Sequence, residues 1–206
     1  MNNCYLDAEA VITFFRMTGR KHIFITGSRG SGKSHLVNNM LKHMSDSFNL
    51  LQSHRTDTPQ VVIKSNLVAD NKEFVIGVPR TSGINPASKG NNMTIIEDGF
   101  INCAIPAIDT HLDTTPERLF VIDELGYLES SCIPFQKAVE KLLDNSHVLA
   151  VIRKQSTEFL NRICNRKDVL VIDIDNTFET LSCIIMASGM SKRFGSNKLI
   201  TDFNGR

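Results

Sequence analysis

Neither charge is in excess: 23 Lys and Arg face 22 Asp and Glu, a formal net charge of +1. Such a balance argues against a function built on a broad basic footprint, so neither nucleic acid nor a membrane surface is an expected partner. The five cysteines, Cys4, Cys103, Cys132, Cys164 and Cys183, are odd in number and widely spaced. They suggest neither a disulfide framework nor a Cys-x-x-Cys metal site, and a reducing cytoplasm is the expected compartment. No apolar run approaches the roughly 20 residues of a membrane span. The opening MNNCYLDAEAVITFFRMTGR has no basic region and no small-residue cleavage site, so the protein reads as soluble. Repeats and low-complexity tracts are also lacking. What is left is a chain of 206 residues, enough to bury one α/β core with little over for a second domain.

Asp7 to Met17 has the spacing of a short amphipathic helix, with Val11, Phe14 and Phe15 expected to pack into the core. His22 to Thr26 reads as a buried strand. Lys33 to Met44 reads as a helix with Leu36, Val37, Met40, Leu41 and Met44 on one face. From Leu51 to about Gly99 the pattern breaks into short strand-like pieces, QVVIK, EFVIGV and NMTIIE, with ADNK a turn between the first two and TSGINPASKGNN a mobile loop. The second half is more regular. RLFVIDELG predicts a strand, IPFQKAVEKLLDN a helix, HVLAVI a strand, Thr157 to Asn165 a helix capped by Ser156, and VLVID a strand. Strands alternating with helices of this length predict a parallel sheet covered on both faces.

Between the first strand and its helix lies Gly27-Ser28-Arg29-Gly30-Ser31-Gly32-Lys33-Ser34, which fits G-x-x-x-x-G-K-[ST]. Glycines let the backbone turn its N–H groups around phosphate oxygens, and a helix N-terminus adds partial positive charge. The expected phosphate cradle is this loop with His35 after it; Lys33 reaches the β- and γ-phosphates and the Ser34 hydroxyl ligates Mg2+. A strand before the motif and a helix after it are the context the motif requires.

The second half of such a site is a carboxylate at another strand end. LFVIDE supplies Asp123 as the metal-associated acid, with Glu124 beside it, placed to orient and activate a water for attack on the γ-phosphate. A competing parse reads Asp123-Glu124-Leu125-Gly126 as the D-x-x-G switch of GTPases, which requires N-K-x-D on a strand end. The chain has Asn165-Arg166-Lys167-Asp168 after a helix instead, which reads as a polar turn.

FITGSRGSGKSHL together with FVIDELGYLE closely resembles the P-loop nucleoside-triphosphatase family of thermophilic nucleoside-triphosphatases and the human cancer-related NTPase, whose second motif runs D-E-x-G-x-[ML]-E. The resemblance covers roughly Lys21 to Asp175. It implies a three-layer α/β/α P-loop NTPase fold with a mostly parallel sheet, and slow Mg2+-dependent hydrolysis of NTPs with loose base selectivity. By motif position Lys33 and Ser34 carry over as phosphate and Mg2+ ligands, Asp123 as the acid and Glu124 as the base. Glu129 matches the trailing glutamate of the motif. Arg153 ends a strand on the site's side, and reads either as a γ-phosphate contact or as a surface arginine.

The tail IIMASGMSKRFGSNKL, Ile184 to Leu199, resembles the opening of the molybdenum-cofactor nucleotidyltransferases through Gly189, Ser191, Arg193, Phe194, Gly195 and Lys198. The resulting expectation is a P-loop domain over residues 1–178 and the truncated start of a nucleotidyltransferase-like domain over 179–206. A molybdenum-enzyme maturation partner is implied by association alone. The alternative functions are a P-loop kinase of a small metabolite, with RTSGINPASKGNN as its lid, and a nucleotide-gated binding module with slow hydrolysis.

Overall fold

The computed structural model describes residues 7–44, 47–80 and 93–176. The expected loop Thr81 to Asn92 and the nucleotidyltransferase-like tail lie outside these residues. Five strands, β1 (His22–Gly27), β2 (Phe48–Arg55), β6 (Leu119–Leu125), β7 (His147–Arg153) and β8 (Val169–Asp173), run parallel. Three more, β3 (Val61–Ser65), β4 (Phe74–Pro79) and β5 (Met93–Ile95), extend β2 as an antiparallel meander. The order across the sheet is β5-β4-β3-β2-β6-β7-β1-β8. With five of its eight strands parallel, the sheet is mostly parallel as expected, and the parallel part carries the motifs.

Alternation along the strands divides the core into two layers. Ile23, Ile25, Val121, Leu149 and Val151 face α1 (Ala8–Thr18) and α2 (Lys33–Met44), where Val11, Val37 and Met40 are buried. Phe14 and Phe15 pack at the margin of this layer. Phe24, Phe120, Ile122, Val148 and Ala150 face the other way. There they meet α4 (Ile105–Thr114), α5 (Ile133–Asn145) and α6 (Glu158–Cys164). On α5 the buried set is Phe135, Ala138, Val139, Leu142 and Leu143, one stripe of a 3.6-residue period. The protein is a three-layer α/β/α domain, and among the described residues no helix is long and apolar enough to cross a membrane.

Two sequence expectations need correction, and one stretch that the sequence pattern left unassigned is helical. Strand β2 begins at Phe48, ahead of the Leu51 boundary, and its alternation is masked by Asn49, Gln52 and Ser53. The stretch after β5 is helical, through α3 (Glu97–Gly99), a π-helical turn over Phe100–Ala104 and then α4. Ser156 does not cap α6: Thr157 is the N-cap, its hydroxyl accepting the Leu160 N–H at 3.1 Å. Thr157 has the extended backbone a cap needs, and both residues carry the hydroxyl that suggested one.

His22, the first residue of β1, is fully buried; its Nδ1 accepts the Val148 N–H at 3.2 Å, and Asp168 Oδ2 lies 3.4 Å from Nε2. Burial, outweighing the Asp168 charge, lowers its pKa from 6.5 to about 4. Between those values the unfolded chain binds a proton that the folded chain refuses, so stability is lost as pH falls through the window. A His22→Asn variant, still able to accept from Val148, should flatten the pH dependence of the urea midpoint there. The expected change in slope is up to about 1.4 kcal/mol per pH unit. Parallel curves for variant and wild type between these pH values would refute this.

Candidate active site

Strand β1 ends at Gly27 and α2 begins at Lys33, and the five residues between make the P-loop. Gly30 (φ 76°) and Gly32 (φ 92°) adopt left-handed backbone, which a side chain would resist. The Lys33 ammonium folds back on the loop, donating to Gly27 O at 2.9 Å and Ser28 O at 2.7 Å. Ser31 Oγ is buried with no hydrogen-bond partner among the described residues. A hydroxyl in that state, inside a loop at a helix N-terminus, suits an incoming phosphate oxygen. Arg29 and Ser34 are exposed, and His35 Nε2 lies 3.0 Å from Asn39 Nδ2 on the same helix.

The carboxylates stand two strands away, at the end of β6. Asp123 is in register with Gln52 on β2 and Val151 on β7. Burial pushes its carboxyl up; a hydrogen bond from Gln52 and the Lys33 charge pull it down. Because β1, β7 and β6 run parallel, the P-loop after β1 and the carboxylates at the end of β6 lie on the same edge of the sheet. Just beyond Asp123 the pairing slips: Asp123 matches Val151, Leu125 matches Ile152, and Glu124 has no partner on β7. A residue freed from strict alternation can aim its side chain along the sheet edge. Glu124 Oε1 meets Arg153 Nη2 at 2.6 Å. The sequence alternatives for Arg153 are thus joined by a third placement, an ion pair with Glu124.

Two further supports come from Glu129, the trailing glutamate of the second motif, and from Asp175, which lies outside both motifs. Glu129 is buried, its Oε2 accepting the Gly126 N–H at 3.0 Å and its Oε1 the Ser53 hydroxyl at 3.2 Å. Burial, reinforced by the Glu124 charge, raises its pKa. On the far side of the P-loop, Asp175 Oδ2 accepts both the Ser28 N–H and the Ser28 hydroxyl at 2.7 Å, and Lys154 Nζ at 3.0 Å. Lys154 also pairs with Asp173 at 2.8 Å. The Ser28 bonds, ahead of Lys154, hold the Asp175 carboxyl below its usual range. Sequence reading missed Gln52, Ser53, Lys154 and Asp175; the only signal was that polar residues end strands whose C-terminal ends share one edge.

Asn165-Arg166-Lys167-Asp168 is far from this edge in role. Arg166 grips Asp168 through Nε and Nη2 at 3.0 and 2.8 Å and pairs with Asp144 at 2.9 Å, a structural turn into β8. Among the described residues no three His, Cys, Asp or Glu side chains form a metal cluster. A hydroxyl and one carboxylate, Ser34 and Asp123, suit a hard cation that keeps most of its coordination for water and phosphate.

The NTPase family model matches residues 22–182 of the chain. The nucleoside-triphosphatase THEP1 of Thermotoga sp. (strain RQ2) is 26% identical over 155 residues, covering 74% of this chain and 86% of that protein. Its counterpart from Thermotoga maritima is 23% identical over 154 residues, covering 74% and 86%. Among solved structures, THEP1 from the hyperthermophile Aquifex aeolicus superposes with a TM-score of 0.59 at 18% identity, covering 74% of this chain and 89% of that one. The solution structure of a human cancer-related nucleoside triphosphatase gives 0.55 at 20% identity, covering 74% and 88%. These likenesses establish a shared fold. With the family match running through both motifs, the chain belongs to the NTPase family and is a P-loop nucleoside-triphosphatase.

Proposed function

We propose that the protein hydrolyses nucleoside 5′-triphosphates to the diphosphate and phosphate, using Mg2+, with Glu124 as the base. The observation that carries this is the placement of Glu124: it sits beside Asp123 at the register slip and is held by Arg153 at 2.6 Å. A water oxygen would bond to the γ-phosphorus while the bond to the β,γ-bridging oxygen breaks, and the water's proton passes to Glu124. Lys33 and the P-loop amides would bind the phosphates and neutralise charge on the transferring group. Arg153, already at the base, would reach the γ-phosphate from the β7 side. Ser34 and Asp123 would hold Mg2+, which when bound neutralises the β- and γ-oxygens. Residues 1–178 would form the catalytic unit. A link to molybdenum-cofactor maturation rests only on the sequence pattern from Gly189 to Lys198.

The test is phosphate release from ATP, GTP, CTP and UTP, with Mg2+ and with the metal chelated. Turnover of all four, abolished by chelation and independent of any added hydroxyl compound, is expected. Release that needs an acceptor, or none at all from a protein that binds nucleotide, would refute hydrolysis as the function.

A further inference from the structure

A chain of hydrogen bonds runs from the end of β7 to the P-loop lysine. Lys154, the first residue after β7, pairs with Asp173 at 2.8 Å and with Asp175 at 3.0 Å. Asp175 Oδ2 accepts the Ser28 N–H and the Ser28 hydroxyl, each at 2.7 Å. The turn that carries Asp175 is itself held against the P-loop strand, because the Ile174 N–H donates to Thr26 O at 2.9 Å and the Asp175 N–H to Asp173 Oδ1 at 3.0 Å. Lys33 closes the chain through Gly27 O and Ser28 O.

We infer that Asp175 is a positioning residue for Lys33, acting through the peptide that joins Gly27 to Ser28. This rests on the reading that Lys33 binds the phosphates. The N–H and C=O of a planar trans peptide point in opposite directions. Asp175 takes the N–H of this one, and its C=O receives the Lys33 ammonium. Gly27, at φ 154°, has a backbone freedom that leaves the peptide plane to be set by its partners. With the acceptor on the N–H gone, the plane can turn and carry the Gly27 carbonyl away from the ammonium. The Ser28 hydroxyl gives the carboxylate a second hold on the same residue, whose own carbonyl is the other acceptor of Lys33. Lys154 steadies the carboxylate and contributes less, since an exposed ion pair is worth little. Asp175 carries the same sign of charge as a phosphate, so it cannot favour the nucleotide by direct attraction. The two effects differ in sign: charge alone predicts tighter binding when Asp175 is removed, and positioning predicts weaker.

The test is nucleotide affinity in the full chain, read by titration with a fluorescent ATP analogue, for wild type, Asp175→Ala, Asp175→Asn, Lys33→Ala and the Asp175→Ala/Lys33→Ala double variant. Urea midpoints are measured alongside. Asp175→Ala should weaken binding by about fivefold or more in the presence of Lys33, and by less than about twofold once Lys33 is already alanine. Asp175→Asn removes the charge and keeps an oxygen that both Ser28 donors can reach, so it should bind at least as tightly as wild type. Binding unchanged or tightened by Asp175→Ala overturns the inference, and so does an Asp175→Asn variant as weak as Asp175→Ala. Equal losses in both backgrounds, with urea midpoints lowered alike, would mean that Asp175 only supports the fold of the loop, and would overturn it too. Wild-type turnover beside any of these results leaves hydrolysis standing. The expected coupling in a protein that binds nucleotide without turnover would keep the positioning role and refute the hydrolase.

Discussion

Glu124→Gln should leave nucleotide bound and stop its turnover, whereas Lys33→Ala should weaken both. Gln has the shape of Glu and can still accept a hydrogen bond from Arg153 Nη2, so the ground-state geometry at β6 persists. What it cannot do is take a proton from water. Loss of a positioned general base lowers kcat by about 10²–10⁴-fold. Lys33 contributes charge rather than proton transfer. Its ammonium, engaged with Gly27 O and Ser28 O, is a cation folded directly onto the loop. A hydrogen bond to a charged partner contributes about 1.5–3 kcal/mol, so Lys33→Ala should loosen nucleotide by roughly 10- to 150-fold and slow the chemistry as well. Lys33 also lowers the Asp123 carboxyl, which burial raises, and its loss moves Asp123 toward protonation and poorer metal binding. Single-turnover phosphate release and titration with a fluorescent nucleotide separate the effects. A Glu124→Gln enzyme retaining more than about a tenth of wild-type kcat would remove Glu124 as the base.

The contiguous parts of the molecule were legible from the sequence. The P-loop strand and helix fall where the motif places them, and IPFQKAVEKLLDN is the helix Ile133–Asn145 because five apolar residues keep its period without a break. Strand β2 was hidden by the work its residues do. Asn49 is buried against His111 Nδ1 at 2.8 Å, Gln52 reaches Asp123, and Ser53 reaches Glu129, so polar residues occupy inward positions. The helical stretch before β6 was hidden by Gly99, Pro106 and a π turn that shifts the apolar stripe. The candidate site divides in the same way. Lys33, Ser34, Asp123 and Glu124 are legible because each motif lies on one strand end. Asp175 and Lys154 come from the turns just after β8 and β7, and a parallel sheet brings them to the P-loop across more than a hundred residues of chain. No local period carries that information.

Glu129→Ala should cut kcat by about 10- to 100-fold while nucleotide affinity changes little, because Glu129 acts through Glu124 rather than on the substrate. Gly126 follows Glu124 by two residues, and its N–H is held by Glu129 at 3.0 Å. Ser53 Oγ lies 3.2 Å from Glu129 Oε1 and 3.4 Å from the Glu124 carbonyl oxygen. Glu129 thus clamps the segment where the β6–β7 register slips, and that slip aims the base. Alanine leaves the buried Gly126 N–H without its acceptor, at about 1–3 kcal/mol, and leaves the half-buried Ser53 hydroxyl the Glu124 carbonyl oxygen alone. The pH dependence gives the sign. Burial raises the Glu129 carboxyl above 4.5, so the folded protein keeps a proton that the unfolded chain releases, and this contribution is lost as pH rises through the raised value. The stability gap between wild type and Glu129→Ala should therefore be widest near pH 4.5 and narrow at higher pH. His22 titrates with the opposite sign but is present in both proteins, so it cancels in the difference. A Glu129→Gln enzyme, which keeps one acceptor, should recover part of kcat without restoring the pH dependence. If Glu129→Ala instead loses nucleotide affinity and kcat in parallel, the residue supports the whole sheet edge and not the aim of Glu124.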